Sequence, residues 1–102
     1  MRRGTTPTLT FTLPFQTSLI RVGFVTFKQR GKIVLDKALD DSGVALVDKQ
    51  IQVTLTQAET LAMTTADTCK AQVRAILADG QTLASEIVEF PVCEILKDGE
   101  IG

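Results

Sequence analysis

The sequence predicts an all-β domain built as a two-sheet sandwich, and three observations lead there. First, apolar residues recur at every second position. Leu9, Phe11 and Leu13 alternate with threonines; Val22, Phe24 and Thr26 alternate with Gly23, Val25 and Phe27; Ile33 and Leu35 alternate with Val34 and Asp36; Ile51, Val53 and Leu55 alternate with Gln52 and Thr54. A strand points successive side chains to opposite faces, so this spacing builds sheets with one face toward a core. Second, turn signals divide the chain into about seven short segments at regular spacing. Third, 102 residues with 44% apolar content are enough for one core and exceed what a disordered segment carries. A small barrel shares the first two features and stays open as an alternative at this level.

The first strand is expected over Thr6–Leu13. Pro7 marks its beginning and Pro14 its end, because proline cannot serve an inner ladder. Residues 15–19 connect it to a second strand, Ile20–Gln29. Arg30-Gly31 then makes a tight turn into a third, Lys32–Leu39, so these two form a hairpin. Asp40-Asp41-Ser42-Gly43 breaks the chain. Val44–Val47 follows as a short strand or an edge segment, and Asp48-Lys49 separates it from a strand over Gln50–Thr56. That strand runs into Thr56-Gln57-Ala58-Glu59, a capping box in which threonine and glutamate satisfy each other's free amides. One or two helical turns to about Met63 should follow, with Leu61 folded back on the core and a loop over Thr64–Thr68.

Cys69–Ala78 is expected as the penultimate strand and Thr82–Val92 as the last. Between them Asp79-Gly80 supplies the positive-φ conformation of a hairpin turn. A short helical turn just before the penultimate strand is common in immunoglobulin-like sandwiches. Ile95 and Leu96 extend an edge or dock a short tail. Met1–Thr6 and Lys97–Gly102 are polar and are expected to be flexible arms on a single domain spanning residues 1–102.

Composition narrows the function. The chain has no histidine, tryptophan or tyrosine. Histidine is the usual general base and zinc ligand, and tryptophan and tyrosine are the usual platforms for sugars and bases. Without histidine, a hydroxyl or thiol nucleophile lacks its usual activating base. The glycines are scattered singly through turns and build no phosphate loop. The expectation is therefore a non-enzyme without cofactor or metal. A net charge of −1, spread along the chain, offers no basic track for nucleic acid apart from Arg2 and Arg3. The first 15 residues have no apolar run of a secretory signal, and no window approaches a membrane span. The protein is expected to be made in the cytoplasm, with neither membrane nor nucleic acid as partner.

Four groups of residues are candidates for a site. Phe24 and Phe27 have opposite parity on one strand and cannot both face one core. Either one of them is an exposed anchor at a protein interface, or the strand is buried on both faces or bulged. Cys69 and Cys93 flank the last hairpin and could pair as a disulfide; the alternative is two thiols behaving as small hydrophobes. Asp40, Asp41 and Asp48 cluster around a glycine, but not at the spacing of a calcium loop, and Asp-Asp-Ser-Gly is first of all a turn. Glu86 and Glu89 sit three apart on a strand, so they diverge unless a bulge intervenes, which weakens any acid–base reading.

The opening Arg2-Arg3-Gly4-Thr5-Thr6-Pro7-Thr8-Leu9-Thr10-Phe11-Thr12-Leu13-Pro14-Phe15 resembles the start of small proteins encoded in prophages of gut Firmicutes. The similarity continues in Val25-Thr26-Phe27-Lys28-Gln29, in Leu55-Thr56-Gln57 and in Ala84-Ser85-Glu86-Ile87-Val88. Such proteins are similar to the immunoglobulin-like N-terminal modules of phage baseplate and tail proteins. The resemblance implies a virion structural or accessory role, with other tail or baseplate proteins as partners. It also implies a homo-oligomer as one form of assembly, and it brings no catalytic residues. A carbohydrate- or ligand-binding module is the alternative, disfavoured by the absent tryptophan and tyrosine.

Overall fold

The computed structural model describes residues 1–65 and 67–102. Its strands are β1 (Thr8–Thr12), β2 (Ile20–Gln29), β3 (Lys32–Ala38), β4 (Val44–Val47), β5 (Gln50–Thr54), β6 (Cys69–Leu77), β7 (Thr82–Ala84) and β8 (Val88–Phe90). A 3₁₀ turn, Thr17–Leu19, precedes β2, and one helix, α1 (Gln57–Leu61), follows β5. Three strands form one antiparallel sheet in the order β1-β5-β4. The other sheet runs β3-β2-β6, with both β7 and β8 on the far side of β6.

The two sheets close over a single core. Phe11 and Leu13, Val25 and Phe27, Ile51, Val53 and Leu55, and Cys69, Ala71 and Val73 meet there, sealed by Met63 and Val92. In immunoglobulin lettering, β1, β5 and β4 occupy the places of B, E and D, while β3, β2, β6 and β7–β8 take those of C′, C, F and G. The fold is an immunoglobulin-like β-sandwich, which closes the barrel alternative. Among the described residues no strand takes the place of A beside β1. The chain start instead bridges the opposite sheet, with Arg2 parallel to Cys93.

Local chemistry explains most boundaries. Arg30 and Gly31 both take left-handed φ, 52° and 75°, and Gln29 pairs Lys32 directly across the turn. Two successive left-handed residues match the twist of the strands they join. The capping box forms as expected: the Thr56 side chain accepts from the Glu59 amide at 3.2 Å, and the Thr56 amide donates to Glu59 Oε1 at 2.8 Å.

Four expectations are corrected. The last long strand, Thr82–Val92, is two short ones, giving eight strands among the described residues and placing the helix before the third strand from the end. Ala84 faces Arg74 and Val88 faces Ala71, so Ser85, Glu86 and Ile87 lie opposite only Gln72 and Val73. Ser85 makes this bulge tolerable. Its amide donates to the Val73 carbonyl at 2.8 Å, and its hydroxyl accepts from the Val73 amide at 3.0 Å. A second bulge puts Val34 between the pairs Phe27–Leu35 and Lys28–Ile33, which breaks the expected alternation and leaves Ile33 60% exposed.

The arms are the third correction. Residues 1–6 are stitched into the fold: Arg3 N donates to Cys93 O, and Cys93 N to Met1 O. The Arg3 guanidinium donates to the carbonyls of Leu61 (2.7 Å) and Met63 (2.8 Å), groups that the end of α1 leaves open. Thr60 Oγ1 donates to Thr5 O at 3.0 Å. The C-terminal segment is held in two places. Gln57 exchanges hydrogen bonds with the Ile101 backbone, and Asp98 pairs with Arg3 at 3.6 Å. Fourth, of the two readings of the cysteines, free thiols stand and the disulfide falls, but only Cys69 is the buried thiol expected: it points into the core, while Cys93 lies at the surface beyond the end of the ladder. The Thr64–Thr68 loop contains Ala66, which lies outside the described residues.

Candidate functional site

The parity of β2 decides which side chains reach solvent. Gly23, Val25, Phe27 and Gln29 face inward, and Phe27 is fully buried. Phe27 is therefore core and drops out as a contact residue. Phe24 points the other way and is 46% exposed. Gln29 is buried but satisfied, donating to the carbonyls of Thr64 and Asp67 and accepting from the Thr64 amide.

On the outer face of the five-stranded sheet, cross-strand neighbours build a small apolar centre with a polar surround. Val22 stands opposite Ile76, and Phe24 lies between Ala38 on β3 and Arg74 on β6. Thr26 comes next, flanked by Asp36 and Gln72, and its hydroxyl donates to Asp36 Oδ1 at 2.8 Å. Phe24 forms a wall of two shallow hollows. One, of about 400 Å³, runs toward β6 and β7 along Arg74, Ile76 and Thr82. The other, of about 330 Å³, runs toward β3 and β4 along Ala38, Leu39 and Leu46. Among the described residues no carboxylate pairs with Arg74, which leaves a cation beside the ring. An apolar anchor with arginine at its rim has the composition of a protein-contact surface.

The close fit beneath this face depends on Gly23. A Cβ there would stand 2.6 Å from Leu39 Cδ1 and 2.8 Å from the Arg74 carbonyl oxygen. The missing side chain lets β6 and Leu39 close under the row that carries Val22 and Phe24. Sequence reasoning marked Phe24 but missed Val22, Ile76 and Arg74, because the register that gathers them is set by β2–β6 pairing.

The remaining candidates do not assemble a chemical site. Burial pushes the Cys69 thiol up to about 11, so it stays protonated and unreactive. Asp41 Oδ1 accepts from the Gly43 amide at 2.9 Å, a turn-closing bond, and stands 3.7 Å from Lys37 Nζ. Glu89 pairs with Lys70 across the strands at 3.5 Å, and both Glu86 and Glu89 are exposed rather than buried together. Among the described residues no group of histidine, cysteine or acidic side chains could hold a metal ion. No helix among them is long and apolar enough to cross a membrane.

No protein-family model matches the chain, and no curated protein matches it in sequence. Among solved structures the chain is similar to the V domain of amphioxus IgVJ-C2. The identity is 15% and the TM-score 0.38, over 93% of this chain and 97% of that one.

Proposed function

We propose that the protein is a non-enzymatic contact module of a phage tail or baseplate, docking a neighbouring protein on the outer face of its five-stranded sheet. The observation that carries the contact reading is Phe24, a large aromatic side chain left 46% exposed beside the cross-strand pair Val22–Ile76. Exposed aromatics in shallow hollows, rimmed by arginine and hydroxyl groups, are the usual anchors of protein interfaces. The tail or baseplate setting, and with it a place in the virion, rests on the resemblance of the opening segment and of Val25–Gln29 to prophage-encoded modules.

The test compares wild-type protein with a Phe24→Arg variant, each immobilised and exposed to a lysate of phage-producing cells. Wild type should retain tail or baseplate proteins, identified by mass spectrometry, and the variant should lose them. Retention of no tail protein, or equal retention by both, would overturn the proposal. Saturable binding of a cell-wall glycan would replace it with the ligand-binding reading.

A further inference from the structure

The four sheet edges are not alike. An unpaired strand edge invites another strand, and proteins blunt such edges with charge, bulges or shortness. The β3 edge carries Lys32, Asp36 and Lys37. The edge made by β7 and β8 is broken by the Ser85 bulge and bears Glu86 and Glu89. β4 has only four residues and is followed by Asp48 and Lys49. β1 reads Thr8-Leu9-Thr10-Phe11-Thr12, with no charge, glycine or proline.

The backbone of β1 is also available. Leu55 N donates to Pro7 O and Leu13 N to Lys49 O, and between them the register pairs Leu9 with Val53 and Phe11 with Ile51. In an antiparallel ladder the bonded pairs recur at every second residue, so odd-numbered residues of β1 bond to β5. The N–H and C=O groups of Thr8, Thr10 and Thr12 therefore point away from β5. Among the described residues nothing bonds to them. Beside this edge, between the two sheets, lies a groove of about 570 Å³ lined mostly by apolar side chains, among them Phe11, Leu13, Phe15, Val73 and Val88, with Glu86 also on its wall.

We infer that β1 pairs with β1 of a second copy of this chain, antiparallel and centred on Thr10. The sequence of the strand is nearly its own reverse. In that register Thr10 faces Thr10 of the other copy, and Thr8 faces Thr12, so every free N–H and C=O finds a partner. Leu9 then lies beside Phe11 of the other copy on the inner face, at the mouth of the apolar groove. The threonine side chains meet on the outer face, where threonine pairs are favourable in strands. No charge opposes its like across the axis. Any incoming strand must be apolar at alternate positions, and β1 itself meets that requirement. The contact is isologous, so it closes at a dimer with one continuous sheet of six strands (β4-β5-β1 and its mate). It uses none of the outer-face residues around Phe24, and it stands or falls separately from the proposed function.

The test is solution mass by light scattering from low micromolar to near-millimolar concentration, with amide exchange measured at both ends. The expected result is a mass that doubles with concentration, together with slowed exchange at Thr8, Thr10 and Thr12 at the high end. Thr10→Lys, which sets two ammonium groups against each other at the axis, should weaken dimerisation about tenfold or more. Thr10→Val, which keeps both backbone groups, and Phe24→Arg should leave it unchanged. A monomer mass throughout would overturn the inference. So would unchanged exchange at those three amides, or a dimer lost in Phe24→Arg but kept in Thr10→Lys.

Discussion

Lys37 is a charged side chain only 5% exposed, and Glu59 is what makes its burial tolerable. Its Nζ lies 2.9 Å from Glu59 Oε2 and 3.0 Å from Oε1, with the nearer oxygen of Asp41 at 3.7 Å. Glu59 meanwhile closes the capping box of α1, so one carboxylate ties β3 to the helix start. Glu59→Ala removes both roles. Breaking a buried ion pair from one side costs about 3–5 kcal/mol. Glu59 is 21% exposed and Asp41 stays near the cation, which lowers that figure. Loss of the carboxylate half of the capping box adds up to about 1 kcal/mol, the Thr56 hydroxyl still capping the amide of residue 59. The net expectation is about 3 kcal/mol, or roughly 10–20 °C in melting temperature for a domain of this size.

Urea titration and calorimetry measure this loss. Glu59→Gln keeps the capping geometry and should cost about 1 kcal/mol less than alanine. Adding Lys37→Met to it removes the stranded charge and should recover most of the loss, because a buried pair replaced by apolar groups is often neutral. A cost below about 1 kcal/mol for Glu59→Gln, or strict additivity in the Lys37–Glu59 cycle, would refute the reasoning.

The same pair sets a pH dependence. Burial alone would raise the Glu59 pKa, but the Thr56 amide and the Lys37 cation outweigh it, and the folded value lies below the usual 4.5. Stability from this group is therefore complete above 4.5 and erodes as pH falls toward the folded pKa, where the unfolded chain binds the proton first. The acid limb of a stability–pH curve should flatten in Glu59→Gln. Phe27→Ala should cost about 3–5 kcal/mol, whereas Phe24→Ala, at a half-buried side chain, should cost only about 1 kcal/mol, a contrast that thermal melts of the two variants read directly. Gly23→Ala drives a methyl to 2.8 Å from the Arg74 carbonyl oxygen, a backbone atom that cannot swing aside, and should cost about 1–3 kcal/mol by urea titration. In thiol labelling of the native protein, Cys93 should react promptly, and Cys69 only after denaturation.

Much of this protein is written in near-neighbour chemistry and was legible for that reason. The ends of β2 at Ile20 and Gln29, the Arg30-Gly31 turn and the Thr56–Glu59 capping box each depend on residues a few positions apart, and each stands where the sequence put it. Alternation in β1 and β5 likewise identified Phe11, Ile51, Val53 and Leu55 as core, because only one parity there is apolar. In β2 both parities are apolar, so the sequence could offer Phe24 and Phe27 only as a pair. The choice fell to Gly23, whose inward place is the only one that lets Leu39 and β6 close against the strand.

The bulges at Ser85 and Val34 follow from the registers of their partner strands, which no local pattern encodes. Burial of Lys37 follows from the helix that brings Glu59 over it, twenty-two positions along the chain. Residues 1–6 read as polar and unanchored, yet their partners are backbone carbonyls and amides of Leu61, Met63 and Cys93. Backbone groups carry no side-chain signature, so hydrogen bonds to them become visible only when the chain has folded back on itself.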